Sequence, residues 1–343
     1  MKKTVSKKVA VGRDLSSEFV FMDKAVKIIE VGMATEENVI LYGPGGHGKS
    51  ELTMAIFENL GIDPYVITMG TGMTVDRLFG GLDIIEFEKT GKIEYLVENS
   101  FMNHEVVIFE ELFDAPDFIL EQLKDILSSR KFRNGSQVFE IKTKFIVCCT
   151  NRTREEFSKN MSLRALMERF PLELNVIWDN YTEHTYNKLL EAKFGVGNVD
   201  PIIPFLLQEY HKSSITISPR VAIKAYKVYE QCGPDALTFI AEFAKKPNII
   251  QDTLKKYQST IEFRDLSTRI DETIKILQAF EVNNADDRVA FSAKLTDVKN
   301  DYGKLKVLTV TDDIAQQHAT VVKAIKPLLE GFEKTIAVAN IMS

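Results

Sequence analysis

The chain has 343 residues, of which 45% are hydrophobic and 27% are charged, and its formal net charge is −6. This length predicts two or three domains, and the apolar content is typical of a globular protein with a sizeable core. The acidic balance argues against a protein that mainly coats nucleic acid.

Membrane and secreted proteins are also disfavoured. The basic start "MKKTVSKK" is not followed by an apolar segment, so it does not predict a signal peptide. No apolar run approaches the roughly 18 residues that cross a membrane. The three cysteines and five histidines show neither a disulfide framework nor a metal-site spacing, and we therefore expect a cytoplasmic protein.

Apolar segments in the first half of the chain predict the strands of one sheet. They are nearly continuous in hydrophobicity, as expected of a parallel sheet that is covered on both faces. Helical patterns alternate with them, which predicts an α/β domain over residues 1–179. The five predicted strands cover residues 38–42, 64–69, 105–110, 144–149 and 172–178.

Two insertions interrupt this alternation and are predicted to be hairpins. Residues 84–97, "IIEFEKTGKIEYLV", would turn at Lys89-Thr90-Gly91. Residues 131–142, "KFRNGSQVFEIK", contain Asn134-Gly135, the strongest short hairpin signal.

The second half of the chain has a helical pattern. Residues 180–247 predict a small four-helix domain, and residues 248–343 predict a C-terminal helical extension. In the extension, apolar residues recur at three- and four-residue steps from 250 to 277, which is typical of a long amphipathic helix. A later helix would be interrupted at Pro327. A helical bundle is the simplest interpretation, and we expect no cofactor there.

The stretch "GPGGHGKS", between a predicted strand and a predicted helix, has the spacing of a phosphate-binding loop. Its glycines let backbone N–H groups face phosphates, and the helix N-terminus favours their charge. Lys49 would reach the β and γ phosphates, and Ser50 would offer a hydroxyl to Mg²⁺. A glycine-rich loop with a chance lysine is the disfavoured alternative. The predicted nucleotide-binding residues are Gly43, Pro44, Gly45, Gly46, His47, Gly48, Lys49, Ser50 and Glu51.

Polar side chains follow two other predicted strands. In "VVIFEEL", Glu110 would bind Mg²⁺ through water and Glu111 would polarise the attacking water. Asn151, after the strand 144–149, could orient that water between Glu111 and the γ-phosphate. A turn-forming asparagine is the alternative interpretation.

Taken in order, the phosphate loop, the acidic strand end, the asparagine, "RALMERF" and "SPR" resemble an AAA+ ATPase. More narrowly, "MTVDRLFGGLDI" and "FEELFDAPDFILEQLKDILSSRKF" resemble the MoxR group of the helix-2-insert clade, and the likeness runs from about residue 21 to 245. The resemblance implies a P-loop NTPase sheet with helix-2 and pre-sensor hairpins, followed by an all-α lid.

The resemblance also assigns further catalytic residues. Arg169 matches the arginine finger that enters the neighbouring subunit, Arg220 matches sensor 2, and Asn151 matches sensor 1. Arg164 is a rival finger, and a surface ion pair is the alternative for Arg169 and Arg220. An arginine supplied in trans would make hydrolysis depend on assembly.

Three positions depart from the pattern of the group. Glu110 stands where aspartate is usual, and its extra methylene shifts the metal carboxylate. Asp114 stands where arginine is common. The sensor motif "CCTNRT" lacks a residue between Thr150 and Asn151 and the proline after the asparagine. The phosphate lysine, the base and the finger are all retained, so we expect an active ATPase that uses ATP and Mg²⁺.

The resemblance implies a homo-oligomeric ring, typically a hexamer, which remodels or matures a protein client in the manner of a chaperone. Such clients often carry a von Willebrand A (vWA) domain. A nucleic-acid motor is less favoured, because the acidic segment 84–97 would repel phosphate. A nucleotide-gated adaptor with slow hydrolysis needs the same site and remains an alternative.

Overall fold

A computed structural model describes residues 14–134, 137–158, 161–310 and 312–341. Contacts between residues divide the chain into two compact units, Met1–Asp200 with Ser214–Gln231, and Pro201–Ser213 with Cys232–Ser343. The division into three domains at residues 179 and 247 remains a prediction.

The elements of the described residues are as follows. The strands are β1 (Val39–Tyr42), β2 (Tyr65–Thr68), β3 (Gly81–Leu82), β4 (Tyr95–Leu96), β5 (Val106–Glu110), β6 (Lys131–Asn134), β7 (Gln137–Glu140), β8 (Phe145–Cys149) and β9 (Leu172–Asn175). The helices are α1 (Leu15–Glu18), α2 (Asp23–Thr35), α3 (Lys49–Asn59), α4 (Val75–Phe79), α5 (Ile84–Thr90), α6 (Asp117–Ser129), α7 (Arg154–Ser158), α8 (Met161–Met167), α9 (Glu183–Phe194), α10 (Ile202–Lys212), α11 (Pro219–Cys232), α12 (Ala241–Ala244), α13 (Asn248–Ala279), α14 (Ala285–Val307) and α15 (Asp312–Ile341).

The first unit is built on a five-stranded parallel sheet in the order β2-β5-β8-β1-β9. All five strands lie within the segments predicted from the sequence, so that prediction is confirmed. Every residue of β8 is buried, and two hydrophobic clusters cover the two faces of the sheet. Because all five strands are parallel, their carboxyl ends share one edge, where ligands of open α/β sheets bind.

The predicted hairpin over residues 84–97 is wrong, because its first half is the helix α5. Asp83 caps that helix by accepting the Glu86 backbone N–H at 2.9 Å, and Gly91 ends it with φ of +71°. These are ordinary helix start and stop signals. The antiparallel pairing lies outside the helix, between β3 and β4. The insertion is therefore a helix held between two short strands.

The second predicted hairpin is confirmed. Strands β6 and β7 pair antiparallel, from Lys131 opposite Glu140 to Asn134 opposite Gln137. The predicted turn includes Gly135, which lies outside the described residues.

The second unit contains three long helices, α13 with 32 residues, α14 with 23 and α15 with 30. They share one hydrophobic core that includes Leu266, Ile270, Phe291 and Leu329, which confirms the predicted helical bundle. The predicted interruption at Pro327 does not occur, since α15 continues through that residue. No helix among the described residues is long and apolar enough to span a bilayer.

Candidate nucleotide site

The glycine-rich loop joins β1, an inner strand of the sheet, to the helix α3. Its first glycine, Gly43, has φ of +131°, and a Cβ there would lie 2.7 Å from the Val176 carbonyl oxygen, so only glycine fits. Helix α3 begins at Lys49 directly after the loop. Its N-terminal N–H groups and dipole favour an anion at this point.

Lys49 is buried beneath the loop. Its ammonium donates to the carbonyl oxygens of Gly43 at 2.7 Å and Pro44 at 2.9 Å, and to Asn151 Oδ1 at 3.1 Å. Burial lowers the pKa of Lys49. All three acceptors are neutral oxygens, and the charged oxygens of a phosphate would bind the ammonium more strongly.

Glu111 follows β5 in the left-handed region, with φ of +51°. Non-glycine residues rarely adopt this conformation, and such strain clusters at functional sites. Its Oε2 accepts the backbone N–H of Asn151 at 3.0 Å and the Thr150 hydroxyl at 3.3 Å. The end of β8 therefore fixes where this carboxylate points.

Asn151 is the residue that joins these two groups. Its side-chain oxygen accepts from Lys49 and its backbone N–H donates to Glu111. This is possible because β8 lies between β1 and β5 in the sheet. The structure thus brings together three residues that the sequence placed in one site.

The carboxylate of Glu110 points toward the edge strand β2, where the Thr68 hydroxyl donates to it at 2.7 Å. Glu110 and Ser50 line the same cavity of 260 Å³. One carboxylate and one hydroxyl are hard oxygen donors, and Mg²⁺ is commonly held by one or two such groups together with phosphate oxygens and water. No cluster of three or more His, Cys, Asp or Glu suited to a metal occurs within the described ranges.

Arg220, at the start of α11, contacts both the loop and the first turn of α3. Its backbone N–H donates to the Gly46 carbonyl at 3.0 Å, and its guanidinium pairs with Glu51 at 3.2 Å. A Cβ on Gly46 would lie 2.8 Å from the Ser218 hydroxyl oxygen. The predicted sensor 2 residue therefore lies against the phosphate loop.

A larger cavity of 810 Å³ adjoins the phosphate loop. Its apolar lining includes Phe19, Met22, Trp178, Leu189 and Ile223. An apolar cavity beside an anion-binding loop suits a nucleoside base. Sequence reasoning missed these residues, because isolated apolar positions carry no motif.

The two candidate finger arginines lie away from this chain's own nucleotide cavity. Arg169 donates from Nε to the Ser128 hydroxyl at 2.9 Å and from Nη1 to the Ala165 carbonyl at 3.0 Å. Arg164 is exposed and lines a separate cavity of 570 Å³ with Arg154. The role of Arg169 remains a prediction.

Two departures from the resemblance are joined in one ion pair. Arg152, which takes the place of the usual proline after Asn151, pairs with Asp114 at 2.7 Å. Both side chains are about two-fifths exposed, so the pair contributes little to stability. They line a cavity beside Glu111. The opposite charges were the only sequence signal for this contact.

The parallel sheet, the loop after β1 and the acidic and amide groups at neighbouring strand ends define a P-loop ATPase of the AAA+ class. Residues 6–202 match the family described as the MoxR domain in the MoxR-vWA-beta-propeller ternary systems. The match spans more than half of the chain, and the chain belongs to this family of AAA+ ATPases.

The chain is also similar to two proteins of Methanocaldococcus jannaschii. The uncharacterized protein MJ0079 is 22% identical over 314 residues, which cover 89% of this chain and 77% of that protein. The uncharacterized protein MJ0812 is 24% identical over 157 residues, or 46% of this chain and 41% of the relative.

The chain is also similar to solved structures at low sequence identity. NtrX from Brucella abortus is 16% identical with a TM-score of 0.44, covering 84% of this chain and 69% of that one. The RuvB Holliday junction branch migration motor of Thermotoga maritima is 15% identical with a TM-score of 0.41, covering 89% and 85%.

Proposed function

We propose that this chain hydrolyses ATP with Mg²⁺ as cofactor and uses the energy to remodel or mature a protein client. The observation that carries the proposal is the contiguous set of Lys49, Asn151 and Glu111 at one edge of the sheet. A phosphate-binding cation and a carboxylate base held by one asparagine are the groups that hydrolysis of a γ-phosphate requires.

Each residue of the set has a separate part in the reaction. Lys49 binds the β and γ phosphates, and the N-terminus of α3 adds its dipole. Glu111 polarises the attacking water, and the amide of Asn151 orients that water. Ser50 and Glu110 would hold Mg²⁺, which neutralises phosphate charge when it is bound. Arg220 reaches the phosphates from α11.

The remaining parts come from assembly. We propose a homo-oligomeric ring, most simply a hexamer, in which Arg169 enters the site of the neighbouring subunit. The guanidinium then stabilises charge that develops in the transition state. The family description, which joins the MoxR domain to vWA and beta-propeller partners, supports a vWA-domain protein as the client, and we expect both to be cytoplasmic.

The insertion around α5 is the surface that we assign to the client. Its exposed large hydrophobic residues are Leu82, Ile84, Ile85, Phe87, Ile93 and Leu96. Clustered exposed apolar side chains mark interaction surfaces. The acidic residues Glu86 and Glu88 on the same helix disfavour a nucleic-acid ligand.

The first test of the proposal compares wild-type protein with Lys49→Ala. Wild type should bind ATP and hydrolyse it with Mg²⁺, and it should retain a vWA-domain protein when ATP is present. Lys49→Ala should lose nucleotide binding, because nothing else in the loop carries a positive charge against the phosphates. Calorimetry with ATP and size-exclusion mass measurement with a vWA domain provide the readouts.

Thr53→Ser, one turn along α3, is the matched control for that test. It keeps the buried hydroxyl that donates to the Lys49 carbonyl at 2.9 Å and should bind ATP as wild type does. ATP binding by Lys49→Ala with wild-type affinity would contradict the site. Strong stimulation of hydrolysis by DNA would favour the motor instead, and very slow turnover even with client would favour the gated adaptor.

A second prediction concerns the insertion. The double change Ile84→Ser and Ile85→Ser should weaken binding of the vWA client by about tenfold or more, since each removes an exposed apolar contact. The two side chains are 62% and 66% exposed, so the free energy of unfolding should change by no more than about 0.5 kcal/mol for each substitution. Affinity is measured by titration with the client.

Val196→Ser is the control, because Val196 is also an exposed apolar residue, at 85%, but lies outside the insertion. Its client affinity should equal that of wild type. Unchanged affinity in the double variant would contradict the assignment. If the double variant no longer forms the ring, the insertion contacts neighbouring subunits and not the client.

A further inference from the structure

His47 occupies the middle of the phosphate loop, and both of its ring nitrogens are hydrogen-bonded. Nδ1 lies 3.2 Å from the Pro44 carbonyl oxygen and 3.3 Å from that of Gly45, and Nε2 lies 2.8 Å from the Tyr181 hydroxyl. Because carbonyls only accept, Nδ1 carries the proton and Nε2 accepts from Tyr181.

Burial keeps both partners in these roles. His47 is 5% exposed and Tyr181 is 8% exposed. Burial lowers the pKa of His47 and raises the pKa of Tyr181. The imidazole is therefore neutral and the phenol protonated at neutral pH, which matches the donor and acceptor assignment.

Tyr181 lies in the segment that leads from β9 into α9, among aromatic rings that contact one another in tilted and edge-on arrangements. Trp178 is 5.5 Å from Tyr181 and 5.7 Å from Tyr186 between ring centroids, and 6.3 Å from His47 in an edge-on arrangement. The Tyr186 hydroxyl donates to the Ile217 carbonyl at 2.8 Å, close to the start of α11. The phosphate loop is thus bonded to the aromatic segment through Tyr181. The same segment is bonded, through Tyr186, to the residues just before α11, the helix that carries Arg220.

One carbonyl connects the lysine and the histidine. The Pro44 oxygen accepts from Lys49 at 2.9 Å and lies 3.2 Å from His47 Nδ1. When a bound phosphate attracts the Lys49 ammonium away from the Pro44 carbonyl, that carbonyl keeps only its hydrogen bond from His47. The peptide and the imidazole can then move together, and Tyr181 must follow or lose its bond.

We propose that His47 is a positioning residue that couples phosphate binding at the loop to the aromatic segment 178–186, through its hydrogen bond to Tyr181. This goes beyond the proposed function, since it concerns how binding is transmitted. It requires only that the loop binds phosphate.

The molecule contains its own reporter for this coupling. Trp178 is the single tryptophan of the chain, so its emission reports on this segment without a label. Tripolyphosphate has no base and no ribose, and the 260 Å³ cavity that Lys49, Ser50 and Asn151 line does not include Trp178 in its lining. The part of the emission change that Tyr181→Phe abolishes is transmitted through the hydrogen bond between His47 and Tyr181.

The experiment titrates magnesium tripolyphosphate into wild type, Tyr181→Phe, His47→Asn and the double variant. Binding is measured by calorimetry and Trp178 emission is recorded in parallel. Wild type should change its emission on binding. Both single variants should lose most of that change. The dissociation constant of Tyr181→Phe should shift less than about tenfold, because this variant loses only one neutral hydrogen bond to the loop. The double variant should lose no more than either single variant.

Tyr186→Phe is the matched control. It removes a hydroxyl from the same aromatic cluster, but this hydroxyl donates to the Ile217 carbonyl and not to the loop. It should keep the wild-type response. The proposal is overturned if Tyr181→Phe keeps the full response, if Tyr186→Phe loses as much, or if wild type binds the probe with no change in emission. Absence of binding in wild type would refute the phosphate site itself, together with the proposed function.

Discussion

Replacing Glu111 by glutamine should lower ATP turnover by about 10³-fold, within the range that a general base contributes, while ATP stays bound. Glutamine has the same shape and can still accept the Asn151 backbone N–H that holds Glu111, but its amide cannot take a proton from water. Single-turnover hydrolysis with excess enzyme measures the loss, and retained ATP is measured after gel filtration.

The neighbouring carboxylate provides the control for Glu111. Glu110→Gln keeps the acceptor for the Thr68 hydroxyl but weakens a ligand of the proposed magnesium site. We expect its turnover to recover at higher Mg²⁺ concentration, whereas that of Glu111→Gln should not. If Glu110→Gln stalls at every Mg²⁺ concentration and Glu111→Gln does not stall, the two roles are exchanged.

Arg169→Ala should also stall, with a loss of about 10³-fold or more, the range typical of an arginine finger. Its activity should partly return on mixing with Glu111→Gln. In such a mixed ring, the Arg169→Ala subunit has an intact base and receives a finger from its Glu111→Gln neighbour. The physical reason is position, since Arg169 lies against Ser128 and Ala165 and not in its own nucleotide cavity. Turnover is measured across a range of mixing ratios.

Arg164→Ala is the companion variant, since Arg164 is the exposed rival in the same region. With Arg169 as the finger, Arg164→Ala should keep most of its turnover. If mixing with Glu111→Gln restores the turnover of Arg164→Ala but not that of Arg169→Ala, Arg164 is the arginine finger. Rescue also separates catalysis from stability, because a misfolded subunit cannot be rescued by a neighbour.

The family and the phosphate loop could be predicted because both depend on local order in the sequence. A strand, a glycine-rich turn and a helix must follow one another for the loop to form, and residues 38–60 contain all three. The insertion at residues 84–97 was predicted wrongly for a reason that is also local. Lys89-Thr90-Gly91 was interpreted as the turn of a hairpin, whereas Asp83 and Gly91 mark the two ends of a helix.

The set of strands, the phosphate loop and the residue types at each strand end can all be inferred from the sequence alone. Which strand ends become neighbours depends on how the sheet assembles. Only the order β5-β8-β1 places Asn151 between Glu111 and Lys49, and only folding joins His47 to Tyr181, 134 residues away. The physical reason is that parallel strands pair through backbone hydrogen bonds, which are the same for any two buried strands. Hydrophobic patterns specify that a strand is buried, but they do not specify which strand pairs with it. That choice depends on the packing of the whole sheet.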